Sequence, residues 1–307
     1  MSTAPDSIER SWPLSRPLDL RRTVGILTHG AGDPVSRFAG GRFWTAGRTV
    51  DGPGTLSLRL AEDRLWAQAW GPGAERLLAG VPELVGDFDD WSDFDTSGHE
   101  RLHQVRRALP GLRITRTGRV MDSLVPAVLE QRVTGKEAFR AWQQLTRRYG
   151  TRAPGPDEFP VFLPAESSTL LQVPTWDWHR FAVDGQRHRT VRAVATVAAR
   201  LEECTDLPLD VSTRRLRSIP GVGAWTVAET TVRALGDIDA VSVGDFHVAN
   251  RVGWFLADRP RSTDEEMLEL LEPWAGQRAR VVKLIELSGF MPPKYGPRFS
   301  PNDIRTI

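Results

Sequence analysis

Two periodicities divide the chain. Thr55-Leu56-Ser57-Leu58-Arg59-Leu60 alternates polar and apolar residues, the period of two that predicts a half-buried strand. Arg64 to Trp70 predicts a second strand, and only Ala61-Glu62-Asp63 lies between, so the pair reads as a hairpin. Leu20 to Thr28 and Arg42 to Val50 predict two more strands, with turns at Gly40-Gly41 and Asp51-Gly52-Pro53-Gly54. Ala74 to Gly80 predicts a short helix. The acidic stretch Gly86 to Asp95 (GDFDDWSDFD) follows no period and reads as a linker or boundary loop.

From His99 onward the spacing turns helical. Helices are predicted over Ser123–Val133, Glu137–Tyr149, Thr190–Leu201, Asp210–Arg217, Ala224–Leu235, Phe246–Leu256, Thr263–Leu271 and Arg278–Ser288. Thr151 to Pro164 is rich in Pro and Gly and reads as a loop. Ser262 and Glu265 have the spacing of a capping box, and Gly289 fits a helix C-terminus. The tail from Met291 reads as a surface strap. The expected fold is α+β: an antiparallel β-rich domain over residues 1–95, then an all-helical core over 96–307.

Composition and charge refine this picture. At 40% hydrophobic and 26% charged, the 307 residues are ordinary globular sequence. No apolar run reaches the ~20 residues needed to cross a bilayer, and the N-terminus does not read as a secretory signal. The single cysteine, Cys204, excludes an intrachain disulfide and a four-cysteine cluster; a cytoplasmic location is expected. Residues 1–100 hold 10 Lys and Arg against 15 Asp and Glu, a net of −5, whereas residues 101–307 carry +6. A polyanionic partner would meet the second part.

The chemistry concentrates between Leu216 and Asn250. A helix ends near Arg217, a tight turn follows at Ile219-Pro220-Gly221-Val222-Gly223, and a second helix begins near Ala224. Glycine lets the backbone turn sharply and approach another molecule closely. The turn amides sit at a helix N-terminus, where the dipole favours anions, so a DNA phosphate is a natural ligand. Ile219 and Val222 would anchor the turn by burial. Asp245 opens a further helix 22 positions after Gly223. Each feature alone is bland: such turns often only join helices, and Asp is a common N-cap.

Turn and aspartate together, at this separation, resemble the helix-hairpin-helix superfamily of DNA glycosylases, and most closely its bacterial alkylpurine (3-methyladenine) branch. Val125 to Val133 is similar to that branch's first core helix, Trp274 to Gly289 to its closing helix, and the β-rich unit to its N-terminal antiparallel domain. The resemblance implies a helix-hairpin-helix motif over residues 205–236, a damaged base flipped from double-stranded DNA into a pocket, and Asp245 as the carboxylate that stabilises an oxocarbenium-like transition state and activates water. It implies DNA contacts by Ile219, Gly221, Val222, Gly223 and Thr226, by Arg132 as the residue entering the duplex gap, and by Arg278. It places Trp225 in the base pocket, where stacking suits an electron-poor base. Lyase relatives carry a Schiff-base Lys where this chain has Trp225, so the implied activity is monofunctional. Glu286 stands where relatives offer a further aromatic. Main-chain carbonyls of Arg217, Ile219 and Val222 would hold a monovalent cation; no cofactor is otherwise required, and a monomer is expected.

His247 is expected to pack or face phosphate. His179 and His188 lack ligand-spaced partners, and Glu202-Glu203 and Glu265-Glu266 read as solvated helix faces. Two other readings stay open: removal of an oxidised purine such as 8-oxoguanine, and a non-catalytic DNA-binding protein that keeps the hairpin. Retention of Asp245 speaks against the latter.

Overall fold

The computed structural model describes residues 6–293. Five strands form one antiparallel sheet: β1 (Ser7–Pro13), β2 (Ser36–Ala39), β3 (Arg42–Thr49), β4 (Gly52–Ala61) and β5 (Arg64–Trp70), in the order β1-β5-β4-β3-β2. The predicted β4–β5 hairpin forms, closed by Glu62 and Asp63, both at positive φ. That conformation matches the twist of the paired strands. One face packs Phe43, Leu56, Leu58, Leu65 and Ala67 against Leu77, Leu78 and Leu84. On the other, Trp44 stacks between Trp70 and Phe159. The centre of the sheet is therefore covered on both sides rather than half-solvated.

Leu20 to Thr28 is not a strand. Asp19 accepts a hydrogen bond from the Arg22 amide and starts a short helix, Leu20–Val24, which continues as a 3-10 turn. The Pro-rich stretch after Thr151 carries a small two-stranded sheet, Thr151–Arg152 with Phe162–Leu163.

The helices from Glu100 onward divide between two hydrophobic clusters. Five of them carry the candidate site: α1 (Val120–Leu129), α2 (Leu209–Arg217), α3 (Ala224–Ala234), α4 (Val248–Ala257) and α5 (Arg278–Leu287). The first cluster joins α1, α2 and α3 with Trp142, Leu145, Trp178 and Val191. The second joins α4 and α5 with Leu102, Leu112, Met267 and Leu271. The segments that pass between the clusters lie side by side: Thr117 and Gly118 donate to Arg233 O and Ala234 O at 2.9 Å.

The acidic stretch lacks regular structure, but it is no loose connection. Trp91 and Phe94 insert into the second cluster. Asp89 is fully buried; it accepts from Arg280, from the Trp91 indole at 2.6 Å and from the Ile114 amide at 2.6 Å. Two local readings also differ from expectation. Glu202 is not solvated: its carboxylate caps α1 by accepting from the Val120 and Met121 amides, both at 2.8 Å, and burial pushes its pKa up. The capping box sits one residue later than predicted, at Thr263 and Glu266, because Ser262 is held by Asn250 Oδ1. Gly289, at positive φ, follows α5 as expected. The predicted strap lies outside the described residues from Lys294 onward.

Candidate nucleic-acid interface and active site

The hairpin joins α2 to α3. Ile219 and Val222 are buried in the first cluster, and the Val222 amide donates to Ile219 O at 3.0 Å, closing the turn. Gly221 takes φ +88°, and a Cβ there would lie 2.0 Å from Thr190 Oγ1. Glycine is thus required twice, for its dihedral and for its close approach to Thr190. Gly223 has nothing within 4 Å of its Cβ position. Among the described residues no acceptor receives the amides of Gly221, Gly223, Ala224 or Trp225. This row of free N–H groups at the head of a helix faces outward and can hold an anion.

Buried Ile219 and Val222 can meet a backbone only through their main chain. Thr226 is also buried, and its hydroxyl accepts from Gln131 at 2.8 Å, so its side chain is committed inward. The same Gln131 amide donates to Gly221 O at 2.9 Å and ties the loop after α1 to the hairpin. At the next position Arg132 is exposed at φ +56°. That conformation is uncommon for a residue with a Cβ.

Asp245 lies at the start of α4, across from α3. Its Oδ1 accepts from the His247 amide at 2.7 Å and the Val248 amide at 3.0 Å. Its Oδ2 accepts from the Trp225 indole at 3.1 Å. Capping therefore occupies one oxygen, and the other turns towards α3 with Trp225 beside it. Three donors fix the carboxylate in one orientation, while Asp245 and Trp225 both remain partly exposed. Next to them, Phe246 is 70% exposed and packs edge-on with His247.

Arg278 has a different task from the one expected. Its guanidinium and its own amide both bind Asp239, holding the head of α5 to the loop after α3. It is a clamp, not a free cation for phosphate. His188 stacks on Trp178, and burial lowers its pKa. Among the described residues no group of three or more His, Cys, Asp or Glu is placed to hold a metal ion, and no helix is long and apolar enough to cross a membrane. Around the hairpin, among the described residues, the Arg217 and Val222 carbonyls accept no backbone hydrogen bond, while Ile219 O accepts one.

Sequence reasoning missed Gln131, Ser242, Glu229 and Lys283. Glu229 accepts from both Ser242 Oγ and Arg233 Nη1, and Ser242 O accepts the Asp245 amide at 3.1 Å. Only the four-residue spacing of Trp225, Glu229 and Arg233 on α3 could have signalled this wall.

No family model matches the chain. Among solved structures, the 3-methyladenine DNA-glycosylase from Archaeoglobus fulgidus aligns with a TM-score of 0.77 and 14% identity, over 92% of this chain and 99% of that one. The fold is that of the helix-hairpin-helix DNA glycosylases. The same fold is shared by the Clostridium acetobutylicum 8-oxoguanine glycosylase/lyase, solved with double-stranded DNA, at a TM-score of 0.71 and 10% identity over 92% of this chain and 96% of that one. A curated relative, the probable bifunctional transcriptional activator/DNA repair enzyme AlkA of Mycobacterium tuberculosis, is 33% identical over 146 residues. That match takes in 47% of this chain and 29% of the relative's length.

Proposed function

We propose that the protein is a monofunctional DNA glycosylase of base-excision repair, acting on a damaged purine in duplex DNA. The observation that carries this reading is the hydrogen bond from Trp225 to Asp245, which places a fixed, partly exposed carboxylate beside an aromatic ring, adjoining a hairpin with free amides. The hairpin amides would take a phosphate, and Arg132 would fill the gap left by the flipped nucleotide. Trp225 would stack on the base. Asp245 Oδ2 would stabilise the positive charge that develops on the sugar as the N-glycosidic bond breaks, and accept a proton from the attacking water. The free carbonyls of Arg217 and Val222, with Ile219 O, would hold a monovalent cation beneath the phosphate, with no chemical step running through it. An alkylated purine is the first substrate reading; the relatives' names also support 8-oxoguanine as a second.

The test is free-base release from duplexes that each carry 3-methyladenine, 7-methylguanine, hypoxanthine or 8-oxoguanine, with Asp245→Asn beside the native chain. The variant should lose on the order of 10²–10³ in single-turnover rate. Undiminished release would remove Asp245 from the chemistry. Intact DNA binding without release from any duplex would make the protein a binding module.

A further inference from the structure

The face of α3 that continues from Trp225 is ionic. On α3, Trp225, Glu229 and Arg233 follow one another at four-residue spacing, along one face. Glu229 is saturated by Ser242 and Arg233. Ser242 in turn holds the Asp245 amide, so this wall is continuous with the candidate catalytic carboxylate. Near enough to act electrostatically on Glu229 and Arg233, α5 carries Lys283 and Glu286, whose nearest charged atoms are 3.9 Å apart, beyond hydrogen-bond length. Among the described residues neither side chain makes a hydrogen bond, although they are only 16% and 34% exposed. Burial acts on both in the same sense, lowering the pKa of the Lys283 ammonium and raising that of the Glu286 carboxyl. Arg251, on α4, interacts with Glu286 and has a buried Nε with no partner. Partly desolvated ionic side chains that no protein group bonds have hydrogen-bonding capacity left for a ligand.

We infer that Lys283 and Glu286 read the 6-oxo, 2-amino edge of a guanine-derived base. The inference rests on the glycosylase reading and narrows its substrate. Glu229 is offset by Arg233 and Glu286 by Lys283, while Arg251 adds positive charge. The wall therefore has no negative excess to draw in a cationic base, and it discriminates by hydrogen-bond pattern. A guanine-type edge offers the N1–H and 2-amino donors side by side, which one carboxylate can accept together, and an O6 acceptor for the ammonium. An adenine-type edge sets its 6-amino donor against the ammonium and its N1 lone pair against the carboxylate. Like then meets like in a partly desolvated site, and the base is rejected.

The test uses lesion pairs that differ only at this edge: 8-oxoguanine against 8-oxoadenine, and 7-methylguanine against 7-methyladenine, each in the same duplex. Single-turnover release by the full chain should favour the guanine member by about tenfold or more. Glu286→Gln and Lys283→Met should each move that ratio towards one. Equal release of both members, or a ratio unchanged in both variants, overturns the inference. So does a borohydride-trapped adduct with the DNA that disappears in Lys283→Met, because the amine would then lie at the sugar rather than the base edge. Fluorescence polarisation with Asp245→Asn reads the same preference in binding. Edge preference there without base release by the native chain sinks the glycosylase reading and keeps this one. Release without preference does the reverse.

Discussion

Replacing Gly221 with alanine tests the hairpin at its tightest point. At φ +88° an L-residue is strained beyond the usual left-handed well, which costs about 1–2 kcal/mol. The added Cβ would meet Thr190 Oγ1 at 2.0 Å and the Thr190 Cβ and Cγ2 at 3.0 Å. Thr190 is buried on the helix Gly185–Thr196, its hydroxyl bound to Gln186 O at 3.1 Å. A β-branched side chain so placed has no free rotamer to escape into. Relieving the contact requires the hairpin to move, at the ~1–3 kcal/mol typical of overpacking. The sum, about 2–5 kcal/mol, should lower the thermal midpoint followed by circular dichroism by roughly 3–8 °C for a chain of this size. Adding Thr190→Ala removes Oγ1 and Cγ2 and should recover most of the steric part, leaving the dihedral part and the Cβ contact at 3.0 Å, so the double variant should remain less stable than Thr190→Ala alone by at least about 1–2 kcal/mol. A shift below about 2 °C in the single variant would refute both components, and complete rescue by Thr190→Ala would refute the dihedral one.

Three further outcomes are expected. Trp225→Phe keeps a ring but removes the donor to Asp245; single-turnover base release should slow about tenfold with lesion-duplex affinity held within about twofold, and an unchanged rate would show that Asp245 needs no such support. Asp89→Asn leaves the buried Arg280 guanidinium without its counter-charge, and urea unfolding should show a loss of about 3–5 kcal/mol; a loss under about 1 kcal/mol would contradict the pairing. In Asp239, burial opposes ionisation but the Arg278 hydrogen bonds outweigh it and hold the carboxyl below its usual range. Its contribution is thus present above the ordinary carboxylate pKa and lost as pH falls through the depressed one, so the gap between native and Asp239→Asn, about 1 kcal/mol at neutral pH for a partly exposed pair, should close below about pH 4; a gap that persists at pH 3 would contradict this.

Local pattern revealed what local forces decide. The β4–β5 hairpin and helices such as Gly135–Tyr149 follow from spacing and from turn residues next to them. Leu20 to Thr28 misled because its apolar density suits a strand, while one capping bond from Asp19 turns it helical. In the site, Asp245 and the hairpin were legible because they lie on one continuous stretch of sequence. Glu202 capping a helix 82 positions away, Gln131 reaching Gly221, and Lys283 near Glu229 are products of tertiary placement that carry no local mark. Arg278 shows the converse. A basic residue suited to phosphate was taken up by Asp239, a partner 39 positions earlier that only folding brings near.

The buried Asp89–Arg280 pair spans 191 positions. A nascent chain grows by about 5–20 residues per second, so Asp89 waits roughly 10–40 s for its partner to emerge. For most of that interval the α4 residues of the cluster that Trp91 and Phe94 enter have not been made, and until its end the α5 residues are missing. Two exposed aromatics are an aggregation hazard, and charges flanking such residues suppress it. Asp87, Asp89, Asp90, Asp93 and Asp95 surround them. The acid density of this stretch thus serves two stages of the molecule's life: mutual repulsion between nascent chains on neighbouring ribosomes, then, through the Asp89 carboxylate with the Asp90 carbonyl beside it, the lock on Arg280 that seats the finished second cluster.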